Sequence, residues 1–572
     1  MEDYLWDLAE NDEARVQELI DGAGVTRPIA LVLNARGIAP EQIQDFLNPS
    51  LSNIGDPYLL PGTRDASARL WQAIQKNQRI LIHGDYDTDG ITASALVAWV
   101  LRRNGAQVEC YLPHRIDDGY GLTAESIAKT NVDNFDLLLT VDCGITSYEA
   151  VALALEKNLD LIITDHHTPG AEPIVATAVV DPKLPGSPLE IQELAGVGVA
   201  FKVCQAFLKY GREMSFGGEE TDLRQVLDLV ALGTVADIVP LLHENRILVK
   251  HGLEILARQH RPGIHALCDI AGVSEELATT DITYRLAPRI NATGRMGDPT
   301  DSLRLLEADN VVDAATLARR LDAQNRERQT IEEAVVQDAE AQIARRYDLG
   351  TIRSLVVWSD NWHQGVVGIV ASRLTRRYHR PSVVLTRDPS GQFTGSARSI
   401  RRLNLVELLG ECSGSLIRFG GHAMAAGLSL YEENLPVFCQ QFDEAVQRVL
   451  SIDSMQPSLS VCGEVNLDEL DDVFFQELRM LEPFGHGNPE PVFLTRGIIP
   501  ERRLPAGRSH TRGMVRDNSG TRLPFIAFGR LPQEFPPPPW DVVFSPHINR
   551  FNGSAIPQMR IHDVRTSILN EL

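Results

Sequence analysis

Three short stretches carry side chains that could hold a cation. His83-Gly84-Asp85-Tyr86-Asp87-Thr88-Asp89-Gly90 places an acid at every second residue, Asp142-Cys143-Gly144 adds a further carboxylate, and Asp165-His166-His167 joins an acid to two imidazoles. Each closes an apolar run of strand length: RILIH, FDLLLTV and LIIT. One acidic loop is ordinarily a solvated turn or a helix N-cap. Three successive strand ends of this kind are another matter. A parallel sheet brings them to one edge, and so many carboxylates repel one another unless cations lie between them. Carboxylates with one or two imidazoles and no thiolate suit Mn²⁺ or Mg²⁺ better than zinc, and imidazole tilts the choice toward Mn²⁺. Two such ions about 4 Å apart would clamp a phosphoryl group and supply a hydroxide nucleophile at neutral pH, which is the chemistry of phosphoester hydrolysis.

Two other readings of these loops fail. The D-x-D-x-D-G string matches the start of an EF-hand, but the twelfth position is Leu96 rather than Glu, and a strand rather than a helix precedes the loop. Gly196-Val197-Gly198 resembles part of a dinucleotide fingerprint, yet it lacks the third glycine and the preceding strand.

The elements that must position these residues repeat as strand, loop and helix from Arg79 onward, which implies parallel βαβ units in a doubly wound sheet. A mainly helical stretch runs to about residue 310. Residues 311–349 read as one long charged helix without an interrupting Pro, suited to connecting two lobes. A second α/β unit spans 350–452. Residues 457–572 show short strand-like runs punctuated by Gly and Pro, as in a small β-barrel. Residues 1–75 are expected to pack on the catalytic core at 76–310. The fold class is therefore α/β and multidomain.

Composition bounds the rest. A chain of 572 residues, 43% hydrophobic and 23% charged, is globular and too long for one core. The opening MEDYLWDLAENDEARVQ has no basic or apolar leader character, and no apolar run reaches membrane-span length. Seven scattered cysteines without a C-x-x-C pair argue against a disulfide framework or a zinc finger. The expectation is a cytoplasmic protein with no membrane association. A net charge of −23 speaks against nucleic acid at first sight. The charge is uneven, however. Residues 1–21 carry eight acids against Arg15, whereas 373–402 carry eight arginines against Asp388 and 496–565 carry eleven arginines against five acids. Genomic base composition accounts for the preference of arginine over lysine; the regional asymmetry fits a polyanion at the C-terminal half.

LIHGDYDTDG, TVDCG, TDHH and LGTVADIVP resemble the four successive metal motifs of the DHH phosphoesterase superfamily. RGIAPEQIQDFL, PHRIDDGYGL, LAPRINATGRMGDP, NRERQ, WHQGVVGIVASRL, GSARS, FGGHAMAAG and LEPFGHGNPEPVF narrow the resemblance to the RecJ family of exonucleases specific for single-stranded DNA, from about residue 28 almost to the C-terminus. By that resemblance, residues 76–310 form a parallel-sheet DHH domain, 350–452 a DHHA1 domain and 457–572 an OB-fold. His83, Asp87 and Asp142 would hold one divalent ion, and Asp89, Asp142, His166 and Asp237 a second, with Asp142 bridging. Asp85 is a further candidate, as ligand or as a partner of the ligands. His167 is read as an outer group, as a contact to the scissile phosphate or as a packed structural histidine.

Gly395-Ser396-Ala397-Arg398 and Gly420-Gly421-His422 read as glycine-rich turns whose amides could nest around phosphate. The resemblance makes Arg115, Ser396 and Arg398 grips on phosphates near the 5′ end, and Arg289 and Arg295 linings of the nucleic-acid path, with a surface ion pair as the alternative for each arginine. His422 joins this substrate-binding set. In the barrel, Phe528 and Phe551 are candidates to stack on bases, though most barrel aromatics are core. The implied activity is 5′→3′ hydrolysis of single-stranded DNA to 5′-mononucleotides, in DNA repair and recombination. The implied partners are single-stranded-DNA-binding protein and a repair helicase, with the enzyme itself a monomer. The rivals are a phosphodiesterase for cyclic dinucleotides or very short oligonucleotides, and a non-catalytic DNA-binding scaffold. Length and the barrel speak against the first, and the complete ligand set against the second.

Overall fold

The computed structural model describes residues 4–114, 121–130, 132–274, 276–452, 455–551 and 554–567. Its catalytic sheet contains β2 (Arg79–His83), β3 (Gln107–Tyr111), β4 (Leu137–Val141), β5 (Asp160–Thr164) and β6 (Ala178–Val180), all parallel, in the order β3-β2-β4-β5-β6. Alternate side chains serve opposite faces of these strands, as the pleat requires. Ile80, Ile82, Leu137, Leu139 and Ile162 join the larger core beneath helices Thr88–Arg103 and Gly196–Glu213. Leu81, Leu138, Leu161 and Ile163 join a smaller core under helices Ala124–Lys129 and Tyr148–Glu156. The strand order reverses at β2, which has β3 on one side and β4 on the other, so the crevice for a ligand opens beyond the carboxyl ends of β2 and β4.

The connecting helix runs from Val311 to Arg346 and is capped by Asn310, whose side chain accepts from Asp313 N. Beyond it lie β7 (Leu355–Ser359), β8 (Ser382–Arg387), β9 (Phe393–Arg398), β10 (Arg418–Gly421) and β11 (Ala425–Leu430), in the order β10-β11-β9-β8-β7. This sheet is mixed, since only β7 and β8 are parallel. GSAR is therefore a strand rather than a turn. Gly395 is required there by close packing: a Cβ would lie 2.8 Å from Leu385 Cα. A central strand pairs its amides in the ladder, so no nest forms at Gly395; Gly421 ends β10, and His422 follows it into the hairpin to β11.

At the C-terminal end, β14 (Phe493–Ala506), β15 (His510–Arg516), β16 (Arg522–Ala527), β17 (Trp540–Phe551) and β18 (Ser554–Thr566) close a barrel through the β14–β17 pairing, with short β13 (Gly463–Glu464) beside β14.

The N-terminal segment departs from expectation. Val16, Leu19, Leu31, Leu33, Phe46 and Leu47 share one hydrophobic core with Phe474, Phe493, Phe525, Trp540 and Phe544 of the barrel region. β1 (Leu5–Leu8) pairs in parallel with β12 (Ser458–Val461). The part from about Leu51 onward joins the main core of the catalytic region. Arg246 ties the three parts together. Its buried guanidinium donates to Phe46 O, Leu481 O and Met480 O at 2.9–3.0 Å and lies 4.2 Å from the Phe46 ring centroid. Among the described residues no helix is long and apolar enough to cross a membrane.

Candidate metal centre and facing cleft

The loop after β2 turns into helix Thr88–Arg103 with Asp87 as N-cap, its Oδ1 accepting from Asp89 N at 2.9 Å and Gly90 N at 3.2 Å. The helix start is fixed from outside by Asn291, whose Oδ1 accepts from Thr88 N and Thr88 Oγ1, both at 2.8 Å. Asp89 is buried and faces the first turn of another helix. Its Oδ2 accepts from Gly196 N at 2.7 Å and its Oδ1 from Val197 N at 2.9 Å. Gly196-Val197-Gly198, which sequence reasoning set aside, is thus an anchor for a carboxylate at a helix N-terminus.

Asp142 follows β4 with a left-handed φ of 61° and is buried beside Gly196. His166 follows β5, and its Nε2 lies 3.1 Å from Asp142 Oδ1, 3.6 Å from Asp237 Oδ2 and 3.9 Å from Asp89 Oδ2. Asp237 arrives from the end of helix Leu227–Ala236. The strand ends and this helix end therefore converge. Potential ligand atoms fall within 4.8 Å of one another in three groups: Asp85, Asp87 and Asp142; Asp89, His166 and Asp237; Asp142, His166 and His167. Asp142 is shared between groups. Asp85 falls in the group with Asp87 and Asp142, and the buried ring of His83 has Nε2 3.1 Å from Ser126 Oγ and Nδ1 3.8 Å from Cys143 Sγ.

The electrostatics of the cluster are those of a cation site. Burial first, then neighbouring aspartates, push Asp142 and Asp237 well above the carboxylate range and Asp89 up to about 7. Burial, then His167, holds His166 down at about 3, so its ring is neutral and can offer a lone pair. Asp142 Oδ1 and His166 Nε2 are buried without a hydrogen-bond partner although they face each other. Divalent ions between these atoms would satisfy both and relieve the repulsion, so the residues fit the metals that the chemistry calls for.

Asp165 has a different task. Its Oδ2 accepts from Ile145 N at 2.9 Å, and its Oδ1 accepts from His166 N at 2.7 Å and His167 N at 3.1 Å, with His167 Nδ1 at 2.7 Å. Burial raises the Asp165 carboxyl, but the His167 and backbone contacts outweigh it and hold it below the usual range. For His167 the same pairing outweighs burial and raises the imidazole. Sequence reasoning did not single out Asp165 as the hub that orients both histidines.

His167 lines a cleft of about 890 Å³ together with Thr123, Gly144, Tyr148, Gly421 and His422. Gly421 and His422 belong to the second lobe, so the cleft lies between the lobes. Arg398 pairs with Ala425 across β9 and β11, and His422 N donates to Ala425 O at 2.8 Å, which sets Arg398 next to the His422 hairpin. Arg398 Nη1 donates to Ser396 Oγ at 2.6 Å, and Gly368 leaves room for both side chains. Arg295 Nη1 donates to Gly365 O at 3.1 Å and so joins the lobes. Arg289 is committed to Asp322 of the connecting helix at 3.0 Å, the ion-pair alternative. Arg115 lies outside the described residues.

In the barrel, Arg496, Arg516, Arg522, Arg530, Arg560 and Arg565, six of the eleven arginines of 496–565, have carboxylate partners. Arg502, Arg508 and Arg512 are exposed on the β14–β15 hairpin. Nearby, Phe528 is exposed, with its ring 5.1 Å from that of His510. The side chain of Phe551 lies outside the described set.

Comparison with known proteins bears on the whole chain. Residues 79–234 match the DHH family, N-terminal domain; 351–448 match the DHHA1 domain; 463–563 match the RecJ OB domain. The single-stranded-DNA-specific exonuclease RecJ of Bacillus subtilis is 36% identical over 571 residues, covering 98% of this chain and 71% of the relative. The crystal structure of Thermus thermophilus RecJ in complex with Mn²⁺ superposes with a TM-score of 0.83 at 30% identity, over 98% of this chain and 79% of that one. The complex with Mg²⁺ gives 0.77 at 28%, over 98% and 78%.

Proposed function

The chain belongs to the RecJ family of single-stranded-DNA-specific exonucleases, and from that premise we propose that it removes 5′-mononucleotides from single-stranded DNA in the 5′→3′ direction by two-metal hydrolysis. The observation that carries this reading is the convergence of Asp85, Asp87, Asp89, Asp142, His166 and Asp237 at one sheet edge, in front of a cleft whose far wall comes from the second lobe. Bound divalent ions, Mn²⁺ in preference to Mg²⁺, supply Lewis acidity at the phosphoryl group and a more acidic water.

The protein's own residues do the rest. Asp142 serves both ligand groups. Gly196 and Val197 hold Asp89 in one rotamer, Asn291 sets the loop that carries Asp87, and Asp165 aims His166 at the cluster and His167 at the cleft. Ser396, Arg398 and the His422 hairpin grip phosphate at the 5′ end, where a terminal dianion suits charge-assisted hydrogen bonds. Arg115 completes this grip by family resemblance. Downstream, the strand meets Arg502, Arg508, Arg512 and Phe528 on the barrel, a combination of cations and an exposed ring that fits unpaired bases. His83 is assigned to orienting the loop and Arg289 to bracing the connecting helix. The family further suggests work in DNA repair and recombination, alongside single-stranded-DNA-binding protein and a helicase.

The test is a strand labelled at either end. A 5′ label should appear at once as mononucleotide, and a 3′ label should survive in progressively shorter strands; blunt duplex should resist. Mononucleotide released first from the 3′ label would overturn the polarity.

A further inference from the structure

The sheet edge that carries the candidate ligands has one more contributor. β6 runs beside β5 with Thr164 opposite Val180, and the pairing continues one step further, since Asp165 N donates to Val180 O at 3.0 Å. The Asp181-Pro182-Lys183 segment therefore leaves the sheet alongside Asp165-His166-His167. Asp181 is fully buried, and its Oδ1 accepts from the Lys183 amide at 2.7 Å, a turn that fixes where the Lys183 chain starts. Lys183 itself is exposed and forms no ion pair among the described residues.

Its register places it beside the cleft: Lys183 lies three residues past Val180 as His167 lies three past Thr164, and His167 lines the cleft. Burial, then His167 and Lys183, hold His422 below the usual imidazole range. An ammonium at this sheet edge, with no ion pair among the described residues, is placed to meet an anion that arrives from the cleft. An approaching phosphate backbone gains from such a charge, because the cluster beyond it is built largely of aspartates.

We propose that Lys183 binds a non-bridging phosphate oxygen of the DNA strand at the edge of the metal cluster, as a substrate-contacting cation of the reaction proposed above, on which this inference rests. A compact ammonium with three rotatable donors can follow the backbone as it advances one nucleotide per cycle.

The full-length protein tests this in two ways: binding of a single-stranded oligonucleotide in Ca²⁺ and cleavage in Mn²⁺. Lys183→Ala should weaken binding and raise KM on the order of tenfold. Lys183→Arg should restore most of the loss, and Lys183→Gln should not. Mn²⁺ affinity, titrated directly, should not fall in Lys183→Ala; a lysine that merely supported the fold of the sheet edge would weaken metal and DNA binding together. Unchanged KM and DNA affinity in Lys183→Ala, with wild-type protein active, would overturn the role of Lys183 alone, as would a loss that arginine fails to rescue. Wild-type protein that neither binds nor cuts the strand would overturn the nuclease reading and this inference with it.

Discussion

Gly196→Ala adds one methyl group to the protein and should cost most of its activity. A Cβ at position 196 would fall 2.5 Å from the Asp142 carboxyl carbon and 2.6 Å from Asp142 Cβ. Carbon atoms settle at about 3.5–4.0 Å, so the two residues must part by about 1 Å. Neither gives way easily. The Gly196 and Val197 amides are bound to Asp89, and Asp142 is held at a left-handed φ between buried neighbours. Whichever side yields, the carboxylate shared between the ligand groups moves relative to His166 or Asp89. A displacement of about 1 Å at a reacting centre costs on the order of a hundredfold in rate, and overpacking costs about 1–3 kcal/mol of stability. The assay is kcat on a 5′-phosphorylated oligonucleotide at saturating Mn²⁺, with thermal unfolding alongside. The protein should remain folded with kcat reduced on the order of a hundredfold and Mn²⁺ affinity weakened. A folded variant with kcat within threefold of wild type would refute the reasoning, since it would show that Asp142 need not be held where it stands.

Arg398→Ala should lose most of any preference for 5′-phosphate over 5′-hydroxyl ends while Mn²⁺ affinity is unchanged, as read from kcat/KM on the two substrates; an undiminished preference rules out end reading by Arg398. Arg246→Leu leaves the carbonyls of Phe46, Met480 and Leu481 without their donor, and should cost about 3 kcal/mol, measured by denaturant unfolding. Replacing Arg502, Arg508 and Arg512 together by Gln should lower the slope of log affinity against log salt by about 2, at about 0.7 for each single-strand phosphate that is no longer neutralised. Substitution is the better probe here than truncation, because removing the barrel would strip the apolar partners of residues 16–47.

The parts legible in the sequence are those that local pattern encodes. Apolar runs ending in acids marked β2, β4 and β5, and the sheet rule alone placed their ends together. Ligand chemistry then singled out the three loops that hold Asp85, Asp87, Asp89, Asp142 and His166, and the family resemblance chose among their residues. Contacts between distant segments left no local trace. Asp89 meets the amides of Gly196 and Val197, and Asn291 meets Thr88, across stretches that no periodicity connects. His83 and Asp85 share one face of an extended loop, and only packing separates the ring against Ser126 from the carboxylate in the ligand group. The ion pairs of Arg289 and of six barrel arginines were not legible, because charge is visible in a sequence whereas its partner is not. The division of the N-terminal segment between two cores is hidden for the same reason: its apolar residues announce burial but not against which core.

The central claim is that one aspartate shared between two ligand groups underlies hydrolysis from the 5′ end. The most direct measurement compares wild-type and Asp142→Ala protein, both shown to be folded, on a long 5′-phosphorylated single strand with Mn²⁺ present and then removed by chelation. The account calls for mononucleotide release by wild type that stops on chelation and returns with Mn²⁺, and for none from Asp142→Ala at any Mn²⁺ concentration. Substantial release by the Asp142→Ala protein, or wild-type release that persists without divalent metal, would contradict it.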